Sequence, residues 1–335
     1  MSTDQVDDIL GRLERKTLIR RTVLLITIVL AIVTVYFGAG FLGGRPVPEL
    51  IRFAQFGFFF NEFGKYARPT FVDLTFYTQE NNIGGLAALG ALITHPSSIL
   101  ATVVSLRSSL IVSAVVITLS IGIVGTVLGF PLALFFGVMG SERVTPFPFN
   151  FLFRGVMSAI RAIPALVWVF IYAALVPLSP LTAMLAVATD TIGNLGRLFT
   201  DELEEIQDGP IEAIESTGAS RVQVINFGML SQVSSSFVAW TLYILEINTR
   251  IAVSLGVVGA GGLGQYIQQN LNLFNSFRAG AGLVTLLILV LSIELLSSRL
   301  RARLRPSEHD AKGIIESIQD LADGRRWLGR GSKGQ

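Results

Sequence analysis

Residues 110–136, LIVSAVVITLSIGIVGTVLGFPLALFF, carry no charged side chain. A helix needs about 20 mostly apolar residues to cross the hydrocarbon core of a bilayer, and this run exceeds that length. Working outward from it, the same criterion finds five more runs: Val23–Leu42, Phe151–Val176, Leu181–Phe199, Phe237–Val258 and Ala279–Leu296. The composition agrees, because only 15% of the 335 residues are charged, against about a quarter in soluble domains. The expected fold is all-α, a polytopic membrane protein with six transmembrane helices. Pro131 predicts a kink or tilt near the end of the 110–136 run. Residues 83–100 are also apolar, but Gly84, Gly85, Gly90 and the His95–Pro96 pair interrupt them. That stretch reads as a loop helix or a re-entrant piece. Val23–Leu42 is longer than a signal-peptide core of about 7–15 residues and no small-x-small cleavage site follows it, so it reads as a retained span.

Several function classes are excluded at this level. Cysteine is absent, which removes disulfides, thiolate metal sites and cysteine nucleophiles. His95 and His309 stand alone without ligand spacing, and a net charge of +2 gives no indication of nucleic acid. Gly259, Gly261 and Gly264 satisfy Gly-x-Gly-x-x-Gly, but no βαβ pattern surrounds them and no acidic residue follows until Glu294. These glycines read instead as close helix packing or a tight turn across a dimer interface.

Orientation follows from the basic flanks, since Lys and Arg near span ends are retained in the cytoplasm. Arg12, Arg15, Lys16, Arg20 and Arg21 precede the first span, and Arg299, Arg301, Arg303 and Arg305 follow the last. Both termini are therefore expected inside, with 140–150 and 200–236. The organisation reads as a cytoplasmic amphipathic and basic segment over 1–22, a first span over 23–42, an extracytoplasmic segment over 43–109, a core over 110–304 and a cytoplasmic tail over 305–335. Val6, Ile9, Leu10 and Leu13, and again Ile314, Ile315, Ile318 and Leu321, recur at helical spacing. Each set predicts an amphipathic helix, lying on the membrane or simply solvated. Residues 329–335 read as disordered.

The most informative polar stretch is DELEEIQDGPIEAIESTGAS, residues 201–220. It encodes a short bounded helix: Gly209 as N-cap, Pro210 at the first helical position, Glu212 at the third near the free amides, and Gly218 as a left-handed stop. A helix this short between two spans buries little surface, so docking on another protein is its expected use.

This stretch resembles the EAA loop of ABC importer permeases, with Glu212, Ala213, Gly218 and Leu230 in place and departures at Ile214, Gly228 and Ser231. Arg161–Trp168, Gly209–Ala213, Thr217–Gln223 and Gly256–Gly264 further resemble the phosphonate-transport permeases, over roughly residues 110–304. The resemblance implies a type I ABC importer permease fold in the bacterial cytoplasmic (inner) membrane. It implies a second copy of the permease, two cytoplasmic ATPase subunits, an extracytoplasmic substrate-binding protein and alternating access. Pro210, Ile211, Glu212, Ala213, Glu215, Gly218 and Ala219 would couple to the ATPase. ATP and Mg would sit on that partner and no cofactor on this chain, which is not itself an enzyme; no Gly-x4-Gly-Lys-Ser/Thr loop occurs in it. The implied cargo is phosphonate, phosphite, hypophosphite or phosphate. The alternatives are an amino acid such as methionine, a compatible solute, or a channel or scaffold with no ATPase.

Arg161, Asp190, Glu246, Arg250 and Glu294 fall inside the expected spans, where an unpaired charge costs about 2.5–3.5 kcal/mol. They must face protein or water, and two readings stand. Glu246 and Arg250, four apart with the acid first, form a neutralising pair. Alternatively, Arg161 or Arg250 lines the pathway and offers its guanidinium to an oxyanion, with Asn248 as a further donor. Glu294 is expected to pair with Arg299 or Arg301.

Overall fold

A computed structural model of the chain describes residues 20–37 and 54–304, and the regular structure among them is entirely helical. The expected helices around Val6–Leu13 and Ile314–Leu321, His309, and the 329–335 tail lie outside the described residues. The chain divides into two compact units, Met1–Gly64 and Lys65–Gln335. The first contains α1 (Arg20–Phe37), apolar and long enough to cross a membrane, and most of α2 (Ala54–Tyr66).

The second unit begins with α3 (Phe76–Glu80), α4 (Gly85–Thr94) and α5 (Pro96–Ser105). Pro96 opens α5 and pushes His95 out of the helical region (φ −129°, ψ 64°), so α4 and α5 meet at 98°. Each is about 15 Å long, half of what a span requires. Residues 65–109 fold with the later helices: Phe71, Leu74 and Ala88 share a core with Ile111, Leu263, Tyr266 and Ala281. Asp73, buried there, accepts from Tyr266 Oη (3.1 Å) and Gln79 Nε2 (3.1 Å) and pairs with Arg278 at 3.4 Å.

The long helices follow. α6 (Ile111–Gly140) continues unbroken past Pro131. Its buried face carries Gly122, Gly125, Gly129, Ala133, Gly137 and Gly140 at three- and four-residue steps. A β-carbon at Gly125 would meet Val187 at 2.6 Å and one at Gly137 would meet the Gly196 carbonyl at 2.7 Å. These glycines let α6 lie directly on α9 (Pro180–Glu204), the helix at the centre of the unit. α9 starts with Pro180 in its first turn and a Ser179–Thr182 capping box.

The expected span 151–176 is two helices, α7 (Phe149–Ala162) and α8 (Ala165–Ala173), meeting at 85°. Pro164 offers no amide and forces Ile163 into an extended conformation (φ −102°, ψ 115°), which ends α7. Beyond α9 come α10 (Asp208–Glu215) and a 40-residue helix, α11 (Arg221–Ala260). α11 is π-helical at Val224–Met229 and Gly256–Ala260. The connecting stretch expected over 200–236 is therefore mostly helical continuation. α12 (Gly262–Asn272) and α13 (Ser276–Leu304) complete the unit. The glycines at 259–262 make the turn between α11 and α12, with φ of +104°, +100° and +74° at Gly259, Gly261 and Gly262. Gly261 and Gly262 pack on the chain's own Ile117, Thr118 and Pro180.

Among the described residues, four helices can cross a membrane by length and composition (α1, α6, α11, α13), and up to six if each bent pair counts as one span. α9 is long enough but more polar. It is flanked by α6, α7, α8 and α11, so its polar side chains face protein or the cavity among these helices.

Candidate functional site

Three groups of charged and docking residues come together in the second unit. The first is α10. Its N-cap is Gln207, two residues earlier than expected, and Asp208, Gly209 and Pro210 form its first turn. Proline fits anywhere in that turn, where amides have no helical acceptor, and Asp208 is held by Arg143 Nη1 at 2.5 Å. Glu212 is consequently the fifth helical residue, exposed, and caps nothing. The stop falls where expected: Ser216 and Thr217 hydroxyls bond back to the Ala213 and Ile214 carbonyls, and Gly218 has φ +80°.

Ile211 is buried with Leu203, Ile206, Val224 and Met229, and Ala219 packs against the same cluster. Gly228, in the π-helical stretch of α11, lies against Ile214 and Ile211, where a β-carbon would sit in ordinary contact at 3.4 Å from Ile214 Cδ1. Thus Ile211 anchors α10 from below, while Pro210, Glu212, Ala213, Glu215 and Gly218 face outward. With exposed Glu205 and Asp208, that outward surface is acidic. Arginines brace its base. Arg143 Nε donates to the Glu204 carbonyl (3.2 Å), Arg154 pairs with the Glu204 carboxylate, and Arg221 donates to the Val144 carbonyl (3.0 Å).

The second group lines a cavity of about 520 Å³ between α7, α9 and α11. Arg161, Asp190, Asn194, Arg197, Asp201 and Asn248 supply its polar wall, and Ile244, Ile247 and Ile251 part of its apolar one. Arg197 is neutralised by Asp201, one helical turn on, at 3.0 Å. Arg161 is held differently, through Nε to Asn194 Oδ1 (3.1 Å), while the Asn194 amide reaches Asp190 Oδ2 (2.9 Å). Its two terminal nitrogens make no hydrogen bond or ion pair among the described residues. Asn248 is buried and gives both amide protons away, to Thr126 Oγ1 and Thr191 Oγ1, each at 2.8 Å. It ties α11 to α6 and α9.

The third group, on the α11–α13 face, does not line that cavity. Buried Glu246 accepts from Arg250 at 2.6 Å, as the four-residue spacing anticipates, and also from Arg301 through both terminal nitrogens at 3.1 and 3.2 Å. Glu294 pairs with Arg250 at 3.2 Å and not with Arg299 or Arg301. Arg301 is drawn to Glu246 and lies over the Tyr243 ring.

The expected pathway residues thus divide. Arg161, Asp190 and Asn248 are brought together, and Glu246 and Arg250 are set apart. Asn194, Arg197 and Asp201 were not anticipated, although 190, 194, 197 and 201 fall on one face of a helix and could have been read as one stripe.

The fold of the second unit is that of ABC importer permeases. A chain of the MetNI methionine ABC transporter, solved in inward-facing conformations, matches with a TM-score of 0.53 over 58% of this chain and 95% of that one, at 23% identity. No family model matches the sequence. Among curated relatives, the putative cryptic phosphonate transport system permease protein PhnE2 of Escherichia coli K12 is 36% identical over 118 residues, 97% of its length and 35% of this chain. The phosphate-import permease protein PhnE of Mycolicibacterium smegmatis is 33% identical over 188 residues, 56% of this chain and 35% of its own length. The chain belongs to the phosphonate-transport permease family. It spans about a third to three-fifths of the length of the first curated relatives it matches.

Proposed function

We propose that the chain is the membrane-spanning permease subunit of an ATP-driven importer for phosphonate or a related phosphorus oxyanion, whether phosphite, hypophosphite or phosphate. The observation that carries this reading is α10, a stopped helix with one buried anchor and an exposed acidic face, in a member of the phosphonate-transport permease family. Two cytoplasmic ATPase subunits, which hold the ATP and Mg, dock on the α10 helices of a permease homodimer. An extracytoplasmic binding protein delivers the ligand. Pro210, Glu212, Ala213, Glu215 and Gly218 form the docking surface, and Ile211 and Ala219 seat it. Arg161 offers the passing oxyanion its unpaired guanidinium edge. The permease carries out no covalent chemistry. Arg20 and Arg21 before α1, with Arg299, Arg301 and Arg303 at the end of α13, support both termini lying in the cytoplasm of a bacterial inner-membrane protein.

The test is reconstitution with the ATPase and the loaded binding protein. Gly218→Val places a β-branched residue at a left-handed position, a strain of about 1–2 kcal/mol on α10 and not on the spans. Glu212→Lys reverses one of the charges on the docking face. Both variants should insert and dimerise, yet lose ATPase co-purification or ligand-stimulated hydrolysis. Wild-type stimulation in both would remove α10 as the coupling element. Uptake of methionine in place of phosphorus oxyanions would reassign the cargo, and a wild-type chain that recovers no ATPase would favour a channel or scaffold.

A further inference from the structure

α7 is tied to α9 at three levels along one face. In its second turn, Arg154 ion-pairs with Glu204, the last residue of α9, and its Nε donates to the Gly140 carbonyl at the end of α6 (2.7 Å). One turn on, Met157 is fully buried, with Gly140 and Gly196 leaving room for its side chain. A further turn on, Arg161 reaches Asn194 at the cavity. The steps 154, 157 and 161 are those of a single helical stripe. Glu204 also belongs to the base of α10, because Arg143 binds both its carbonyl and Asp208. One residue, Glu204, therefore joins the seat of α10, through its carbonyl, to the helix that carries the cavity's guanidinium, through its carboxylate.

We propose that Arg154 is a positioning residue: through Glu204 it makes displacement of α10 move α7, and so sets where Arg161 stands in the cavity. The proposal rests on the importer reading above and adds the route by which the docking helix reaches the pathway. Without the Arg154–Glu204 pair, α10 keeps its Ile211 anchor and its exposed face, so the ATPase still docks. What is lost is the transmission of its movement. The signature is a change in uptake per ATP hydrolysed, which a purely structural role would leave constant in the assembled fraction.

The experiment uses the full complex in proteoliposomes with the loaded binding protein, and measures uptake and hydrolysis together. Arg154→Met should assemble with the ATPase and hydrolyse ATP within about twofold of wild type while uptake per ATP falls about three- to tenfold. Glu204→Gln, which keeps the backbone contact to Arg143, should shift the ratio the same way. The exchange Arg154→Glu with Glu204→Arg should recover most of it. A wild-type ratio in Glu204→Gln overturns the proposal even if Arg154→Met fails to assemble. If the wild-type chain binds no ATPase, the importer reading fails first, and that is visible before any variant is made.

Discussion

Two clusters of charge sit within this helical unit, and they are built in opposite ways. On the α11–α13 face a single buried carboxylate, Glu246, is shared by Arg250 and Arg301, and the remaining acid, Glu294, closes on Arg250. Around the cavity the acids and cations are equal in number but only Arg197 and Asp201 meet; Arg161 and Asp190 are held apart by the Asn194 amide. The first arrangement gives each acid a cation, with Arg250 serving both Glu246 and Glu294 through one terminal nitrogen. The second leaves a guanidinium edge open toward a space of about 520 Å³. An ionisable residue within a span is thus a weak pointer to a pathway until its partners are known, because the same cost of burial is met by pairing or by facing water.

The largest expected effect separates the clusters by stability. Glu246→Leu removes the acceptor of two arginines at once; Arg250 keeps Glu294 while Arg301, 27% exposed, loses its carboxylate. The cost is therefore at most about 3–5 kcal/mol, that of breaking a fully buried pair from one side. The purified variant should melt well below wild type, while whatever fraction assembles should keep its uptake per folded complex. A melting temperature equal to that of the wild type would mean that the Glu246–Arg301 pair does not hold α11 to α13, and the contrast would lose one side.

The second expected effect falls on transport. Arg161→Gln preserves a donor to Asn194 but discards the charge. A hydrogen bond to a charged group contributes about 1.5–3 kcal/mol, so uptake of a phosphorus oxyanion should fall about tenfold or more. Stability should move by no more than about 0.5 kcal/mol, because Arg161 is exposed to the cavity. Uptake unchanged at saturating binding protein would show that the cavity is not on the route of the anion.

The division between the clusters explains which parts of the molecule were legible in the sequence. Runs of twenty apolar residues located α6, the body of α11 and α13, since membrane spanning is a composition rule. Gly218 was legible because a left-handed stop nearly demands glycine. The break in 151–176 was also written there, in Pro164, but an apolar window does not see a missing amide. The cavity was not legible. Arg197 and Asp201 lie at or beyond the edge of an apolar run, and Arg161 meets Asn194 across 33 residues of chain. Glu294 failed for the same reason, since Arg301 is near it in sequence but is claimed by a more deeply buried acid on another helix.

The smallest expected effect is the one most able to undo the comparison. By sequence alone Arg250 was as good a pathway candidate as Arg161. In the structure its side chain is 46% exposed in the single chain and its second partner, Glu294, is 51% exposed. Arg250→Met leaves Glu246 bonded to Arg301 at 3.1 Å and frees only an acid that already faces outward. Exposed ion pairs contribute about 0.2–1 kcal/mol, so the change in stability should stay within that range and uptake should remain within about twofold of wild type. The double variant with Glu246→Gln distinguishes a counter-ion from a pathway cation, because it removes the acid that Arg250 serves. If Arg250 only neutralises, the double variant loses stability through Arg301 but transports normally once folded. If uptake in Arg250→Met instead drops as far as in Arg161→Gln at equal amounts of assembled complex, both cations touch the cargo. The α11–α13 face would then be a second wall of the route and not a structural clamp.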